Sequence, residues 1–164
     1  MAHVELSISD PHLTRSPDGR ASDFGEVESD DVDAGLAQSS IESSLDRWAA
    51  TVAEAAEPSL VIDDKAVIVA VSASFEDLLG LTESAIDRPL VDGVLQLLDF
   101  GDGGALDASE INKTPPLLAL SSGRLARGLL RVRCATGPRT FDAIATPLLQ
   151  DGQVVGSLTF FSAV

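Results

Sequence analysis

The chain has 164 residues, 45% of them hydrophobic but only 4% aromatic, and a formal charge of −15. That length suits one domain with an appendage, and the aromatic shortage means the core must rest on Val, Leu, Ile and Ala. The acidic balance argues against nucleic acid as the main partner and against binding to an anionic membrane, because both need a basic face.

Cysteine and histidine usage narrows the chemistry further. A single thiol, Cys134, cannot form an internal disulfide, and the two histidines, His3 and His12, stand far from it in sequence. Neither a disulfide framework nor a Cys/His zinc site is expected. No basic stretch followed by an apolar run opens the chain, and no stretch of about 18 apolar residues occurs, so a cytoplasmic location without a membrane span is expected.

In chain order, residues 1–38 mix Asp, Ser, Pro and Gly with apolar residues that show no period. Such a segment cannot bury enough surface to offset its ordering entropy, and it is expected to be a disordered acidic tail. From 39 to 57 a helix is expected. Ser39 and Glu42 have capping-box spacing, Ile41, Leu45, Trp48, Val52 and Ala55 form an apolar stripe, and Pro58 stops the run. The stripe could cover this chain's own sheet, pair with a second copy, or do both.

Residues 58–164 read as one α+β domain. Leu60–Ile62 and Val67–Val71 are two strands around a tight turn at Asp63, Asp64 and Lys65. Ser72–Gly80 reads as a short helix, Thr82–Ile86 as a further helical turn, and Leu90–Leu98 as a helix weakened by Gly93. Asp99–Lys113 has loop composition. Thr114-Pro115-Pro116 starts a helix that Gly123 ends. Three strands close the chain: Ala126–Ala135, Arg139–Leu148 and Val154–Phe161, joined by turns at Gly137-Pro138 and Asp151-Gly152. Alternation in the first places Leu130, Val132 and Cys134 on one face and Arg131 and Arg133 on the other.

This order, with particular residues, resembles the PAS domain family. Val71-Ser72-Ala73-Ser74-Phe75-Glu76-Asp77-Leu78-Leu79-Gly80-Leu81 is similar to the family's "N-x-A-F-x-x-L-x-G" helix. Thr82-Glu83-Ser84-Ala85-Ile86-Asp87-Arg88-Pro89-Leu90 is similar to the "s-x-e-e-l-i-G-r-x-l" segment that follows, and the run from Pro147 to Gly156 is similar to the closing hairpin. Ser72 stands where many members have Asn, and Arg88 where Gly is common. The resemblance implies a five-stranded antiparallel sheet cupping a small cavity, with short helices on one face, and an amphipathic N-terminal helix of the kind that often mediates dimers.

The family's known chemistries find little purchase. Haem-binding members coordinate iron through a histidine in the helical region, and both histidines here lie in the tail. Flavin photoreceptors carry a reactive cysteine in an "N-C-R-F-L-Q" run, and the yellow-protein type needs tyrosines; neither that run nor any tyrosine occurs here. Cys134 in mid-strand reads as a small buried hydrophobe. An EF-hand frame opening at Asp99 fails because Gly101 and Gly103 supply no side-chain oxygen at positions 3 and 5. No cofactor, no metal site and no catalytic residue is expected, and the chain is not expected to be an enzyme.

What remains is a cavity and two surfaces. Candidate cavity residues are Phe75, Leu78, Leu95, Leu98, Leu117, Leu118, Leu130 and Val132. Parity in the last strand adds either Leu158 with Phe160 or Thr159 with Phe161, and Leu158 and Phe160 are preferred. Side chains or a small apolar ligand could fill that space. Candidate interface residues are Ile41, Leu45, Trp48 and Val52 on the helix, with Arg131 and Arg133 on the sheet. Five arginines, Arg124, Arg127, Arg131, Arg133 and Arg139, fall in one stretch without an acid, whereas Asp23, Glu26, Glu28, Asp30, Asp31 and Asp33 crowd the tail. The arginines are either a solvated sheet edge or a docking patch for an acidic partner or for the tail itself. The expected function is a signalling or regulatory module acting by protein–protein interaction, with small-ligand sensing as a further role. The partner would be a second copy or a separate signalling protein. The alternative is a non-sensing adaptor with a filled cavity, whose acidic tail recruits partners. The chain ends at Val164, just after the last strand, so output is expected from another protein.

Overall fold

A computed structural model describes residues 43–164. The expected tail, Ile41 and the Ser39–Glu42 box lie outside the described residues. The elements are α1 (Ser44–Ala53), β1 (Ser59–Asp63), β2 (Ile68–Val71), α2 (Ala73–Leu79), β3 (Leu97–Leu98), α3 (Ala108–Ile111), α4 (Pro115–Ser122), β4 (Ala126–Cys134), β5 (Gly137–Gln150) and β6 (Gln153–Ala163). The strands form one antiparallel sheet in the order β2-β1-β6-β5-β4-β3. Five strands were expected; the sixth is the two-residue β3 at the edge. Helices α2 to α4 follow one face and α1 lies on the other.

Local chemistry sets most boundaries. Helix α1 starts where the Ser43 side chain accepts from the Asp46 N–H and the Asp46 carboxylate accepts from the Ser43 N–H. It is shorter than the expected 39–57 helix, because Glu54 already caps its C-terminus. Ser72 caps α2, and Gly80 ends it in the left-handed region at φ 70°. Thr114 precedes α4 as expected, but its hydroxyl donates to the Ile111 carbonyl instead of capping. Pro115 and Pro116 carry no N–H, so the first turn needs no acceptor there. Asp151 and Gly152 both have positive φ and close the β5–β6 hairpin. The β4–β5 turn falls at Ala135 and Thr136, since Cys134 already pairs with Gly137.

Two expected helices do not form. Residues 82–86 fold as bends whose backbone returns to α2 through a bond from the Ala85 N–H to the Glu76 carboxylate. Residues 90–96 are a tight, partly bridged loop that leads into β3. Asp92 is left-handed there at φ 63°, and Gly93 packs so closely on Pro89 that any side chain would overlap its carbonyl. Helical periodicity and apolar packing agree over this stretch, but the backbone takes the irregular path because Leu95 can then bond back to Leu90 while its side chain stays buried. Arg88 fixes the same loop by donating to the Gly93 carbonyl.

Candidate functional site

The face under α2–α4 is built around Phe75, Phe141 and Phe161. The rings of Phe75 and Phe161 are 4.9 Å apart at their centroids, tilted by 48°. Leu60, Ile62, Leu95, Leu130 and Val132 are among the residues of the same cluster. Of the expected cavity residues, Phe75, Leu95, Leu130 and Val132 lie in it, and Leu78 and Leu117 pack against it partly buried. Leu98 is buried at the β3 edge and Leu118 is exposed. The centre of this face is therefore occupied by side chains.

The preferred parity of the last strand is corrected. Leu158 lies with Val52, Val61, Ala70 and Leu148 in a second cluster beneath α1, and Phe160 points to that same side and is exposed. Thr159 and Phe161 face inward instead. Pairing decides this: Thr159 opposes Leu60, which faces the inner cluster, whereas Leu158 opposes Val61, which faces α1. Sequence offered Thr159 with Phe161 as the other parity but preferred Leu158 with Phe160, because β1 and β6 are apolar at successive positions; Phe141 on β5 was missed. Helices cover both faces there, so alternation carries no direction.

Thr159 is the one buried side chain among the described residues whose polar atom, Oγ1, has no hydrogen-bond partner. Its neighbour two residues away, Ser157, is equally buried but donates to the Pro116 carbonyl at 3.0 Å. Buried hydroxyls are normally paired, so Thr159 stands out.

The opposite face divides in two. Over β1, β2 and β6, helix α1 docks through Leu45, Ala49 and Val52. Leu45 and Val52 are thus used on this chain's own sheet, while Trp48 remains 41% exposed. Beyond α1 the sheet is bare: Leu129 is 53% exposed, Ile144 38% and Phe160 43%. Ile144 opposes Phe160 directly, and Leu129 opposes Asp142. Arg127, one position from Gly128, opposes Ile144 and reaches Asp142 with Nε–Oδ1 at 3.1 Å. That bond and the attraction behind it hold the Asp142 carboxyl below its ordinary value and push the Arg127 guanidinium up. Arg131 donates to the Phe100 carbonyl at 3.3 Å. Arg133 is exposed at the rim of a cleft of about 520 Å³ between the Gly80–Glu83 turn, the Gly93–Gln96 loop and the β4–β5 turn.

The arginine stretch is not a single patch. Arg139 lies on the inner side, over the Phe141 ring at 5.4 Å, and donates to the Leu78 carbonyl. Cys134 is beside it; burial pushes its thiol up and Arg139 pulls it partly back. Among the described residues no group of three His, Cys, Asp or Glu could hold a metal ion, and no helix is long and apolar enough to cross a membrane.

An antiparallel sheet with an inner face closed by short helices and an outer face partly covered by an N-terminal helix defines a small α+β domain. Solved structures identify the particular fold. The PAS domain of a Colwellia psychrerythraea protein matches with a TM-score of 0.52 at 20% identity, over 73% of this chain and 96% of that one. The PAS domain of an HTR-like protein from Haloarcula marismortui matches with a TM-score of 0.50 at 16% identity, over 72% and 89%. The LOV protein of Rhodobacter sphaeroides matches with a TM-score of 0.53 at 17% identity, over 74% and 66%. No family model matches the chain and no curated protein is similar to it in sequence. The fold is that of PAS domains.

Proposed function

We propose that this chain is a PAS-type regulatory module that acts by binding and not by catalysis, through the bare outer face of β4–β6, with a second copy of itself as partner. The observation that carries the reading is the contrast between the two faces. The inner face is filled by Phe75, Phe141 and Phe161, whereas the outer face leaves Leu129, Ile144 and Phe160 in water beside charges of both signs. A two-fold dimer needs a patch complementary to itself. An apolar centre at Ile144 and Phe160, flanked by Arg127 and Asp142, meets that need. The test is light scattering on chromatographed protein at tens of micromolar. Phe160→Asp should shift a dimer to monomer while leaving the far-ultraviolet circular dichroism unchanged. A wild-type chain that stays monomeric overturns the reading.

Small-ligand sensing has one observation in its favour, the unpartnered Thr159 hydroxyl on the inner face. A ligand polar group would supply its missing bond. Native mass spectrometry of protein purified from cells should then show a bound small mass that Thr159→Val loses. An unliganded spectrum for both proteins leaves the adaptor reading, in which the interior is permanently filled.

A further inference from the structure

Two arginines of this acidic chain share a cleft and have no acid to pair with. Among the described residues the ion pairs are Lys113 with Glu110 and Arg127 with Asp142. Arg88 and Arg133 take part in neither, and both line the cleft of about 520 Å³ between the Gly80–Glu83 turn, the Gly93–Gln96 loop and the end of β4. Glu83 is the one acid among its described lining residues. A third guanidinium, that of Arg139, lies behind the Cys134 wall, where it donates to the Leu78 carbonyl at 3.0 Å.

The walls are tied together. Arg88 donates to the Gly93 carbonyl, and the backbone N–H of Arg133 donates to the Gln96 carbonyl at 2.9 Å. The intervening loop is thus fixed at one end by Arg88 and at the other by β4. The end of α2 meets the β4–β5 turn so closely that a Cβ on Gly80 would stand 3.3 Å from that of Ala135. A guanidinium has five N–H donors. Arg88 uses one on Gly93, and the Arg133 side chain has no hydrogen-bond acceptor among the described residues. The N–H groups of Thr82 and Gly93, which also line the cleft, have no backbone acceptor there either. The apolar part of the lining is Leu79 and Val94, both buried, with half-buried Leu81.

Guanidinium groups bind carboxylate and phosphate through paired N–H bonds. Arg88 is half-buried, where a charge without a counter-ion is costly, so an anion in the cleft would relieve it. Apolar walls with a few convergent polar groups suit a small organic molecule. We propose that this cleft binds a small organic anion, its carboxylate or phosphate head held by Arg88 and Arg133 and its apolar body against Leu79, Leu81 and Val94. The site is separate from the outer sheet and from the inner-face hydroxyl, since none of Leu129, Ile144, Phe160 and Thr159 lines it.

An NMR titration of the isotopically labelled full chain tests this with phenyl phosphate, benzoate, inorganic phosphate and the neutral benzyl alcohol. Phenyl phosphate or benzoate should give saturable shifts at the amides of Thr82, Gly93, Gln96 and Arg133 and leave Leu129, Ile144 and Phe160 in place. Inorganic phosphate and benzyl alcohol should bind more weakly than the better of the two aromatic anions. Arg133→Gln should weaken binding about tenfold, whereas Arg124→Gln, an exposed arginine outside the cleft, should not. Cys134 is the only thiol and lines the cleft, so the bound anion should also slow its alkylation by iodoacetamide. No saturable shift with either aromatic anion overturns the proposal. So does equal binding of benzyl alcohol, or an equal loss in Arg133→Gln and Arg124→Gln, which would reduce the effect to apolar contact or to general charge.

Discussion

Ser72 shows how much one small side chain can hold. It is fully buried, and its Oγ accepts from the Ser59 N–H at 2.9 Å and the Phe75 N–H at 3.3 Å while donating to the Glu57 carbonyl at 2.9 Å. It thus ties the start of β1 to the start of α2. Ser72→Ala removes a helix cap and strands the Ser59 amide, at a cost of about 2 kcal/mol, measurable by urea unfolding. Thr159 predicts the reverse. If nothing binds its hydroxyl, Thr159→Val replaces an unpaired polar atom with a methyl group, and stability should be unchanged or rise by about 1 kcal/mol. A loss of stability in protein shown free of ligand would mean that the hydroxyl has a partner in solution. Neither residue's role was legible in sequence: Ser72 reads as the first residue of a short helix, and Thr159 as part of the less favoured of two inner-face parities.

Among the elements, α1 depends on a close approach that only glycine permits. A Cβ on Gly156 would overlap the Ile62 carbonyl oxygen and lie 2.7 Å from Leu45 Cδ1. Gly156→Ala should therefore push β6 from β1 and α1 from the sheet, destabilising by about 1–3 kcal/mol. The single tryptophan, Trp48, reports this directly, and its emission should move to the red. Unchanged emission would mean that α1 docks without Gly156. The elements with strong local punctuation were readable in advance: Ser72 and Gly80 bound α2, Thr114 and Gly123 bound α4, and Asp151-Gly152 makes the final hairpin. The stretch from 82 to 98 was not. Its apolar spacing suits a helix, but its conformation is set by long-range bonds, such as Leu90 N–H to the Ala66 carbonyl. The faces of β6 were equally hidden, since register against β1 decides them and register is a tertiary fact.

For the molecule as a whole, the two faces of one sheet differ in how completely they are covered. The inner face stabilises: Phe75, Phe141 and Phe161 supply half of the chain's six phenylalanines to one cluster, which is how a chain poor in aromatics still closes its core. The outer face is covered by α1 over β1, β2 and the adjoining ends of β5 and β6, and the remainder is the surface on which the proposed function rests. The order of elements made the fold readable from sequence, because strand, turn and cap signals lie close together along the chain. The difference between the faces was not readable, because it depends on which strands lie side by side. The most direct measurement is an NMR titration of the isotopically labelled full chain against its own concentration. Amide and methyl shifts that move with concentration should gather at Leu129, Ile144 and Phe160 and spare Phe75 and Phe141. Shifts that do not move at all, or that move only on the inner face, would contradict the assignment of binding to the outer sheet.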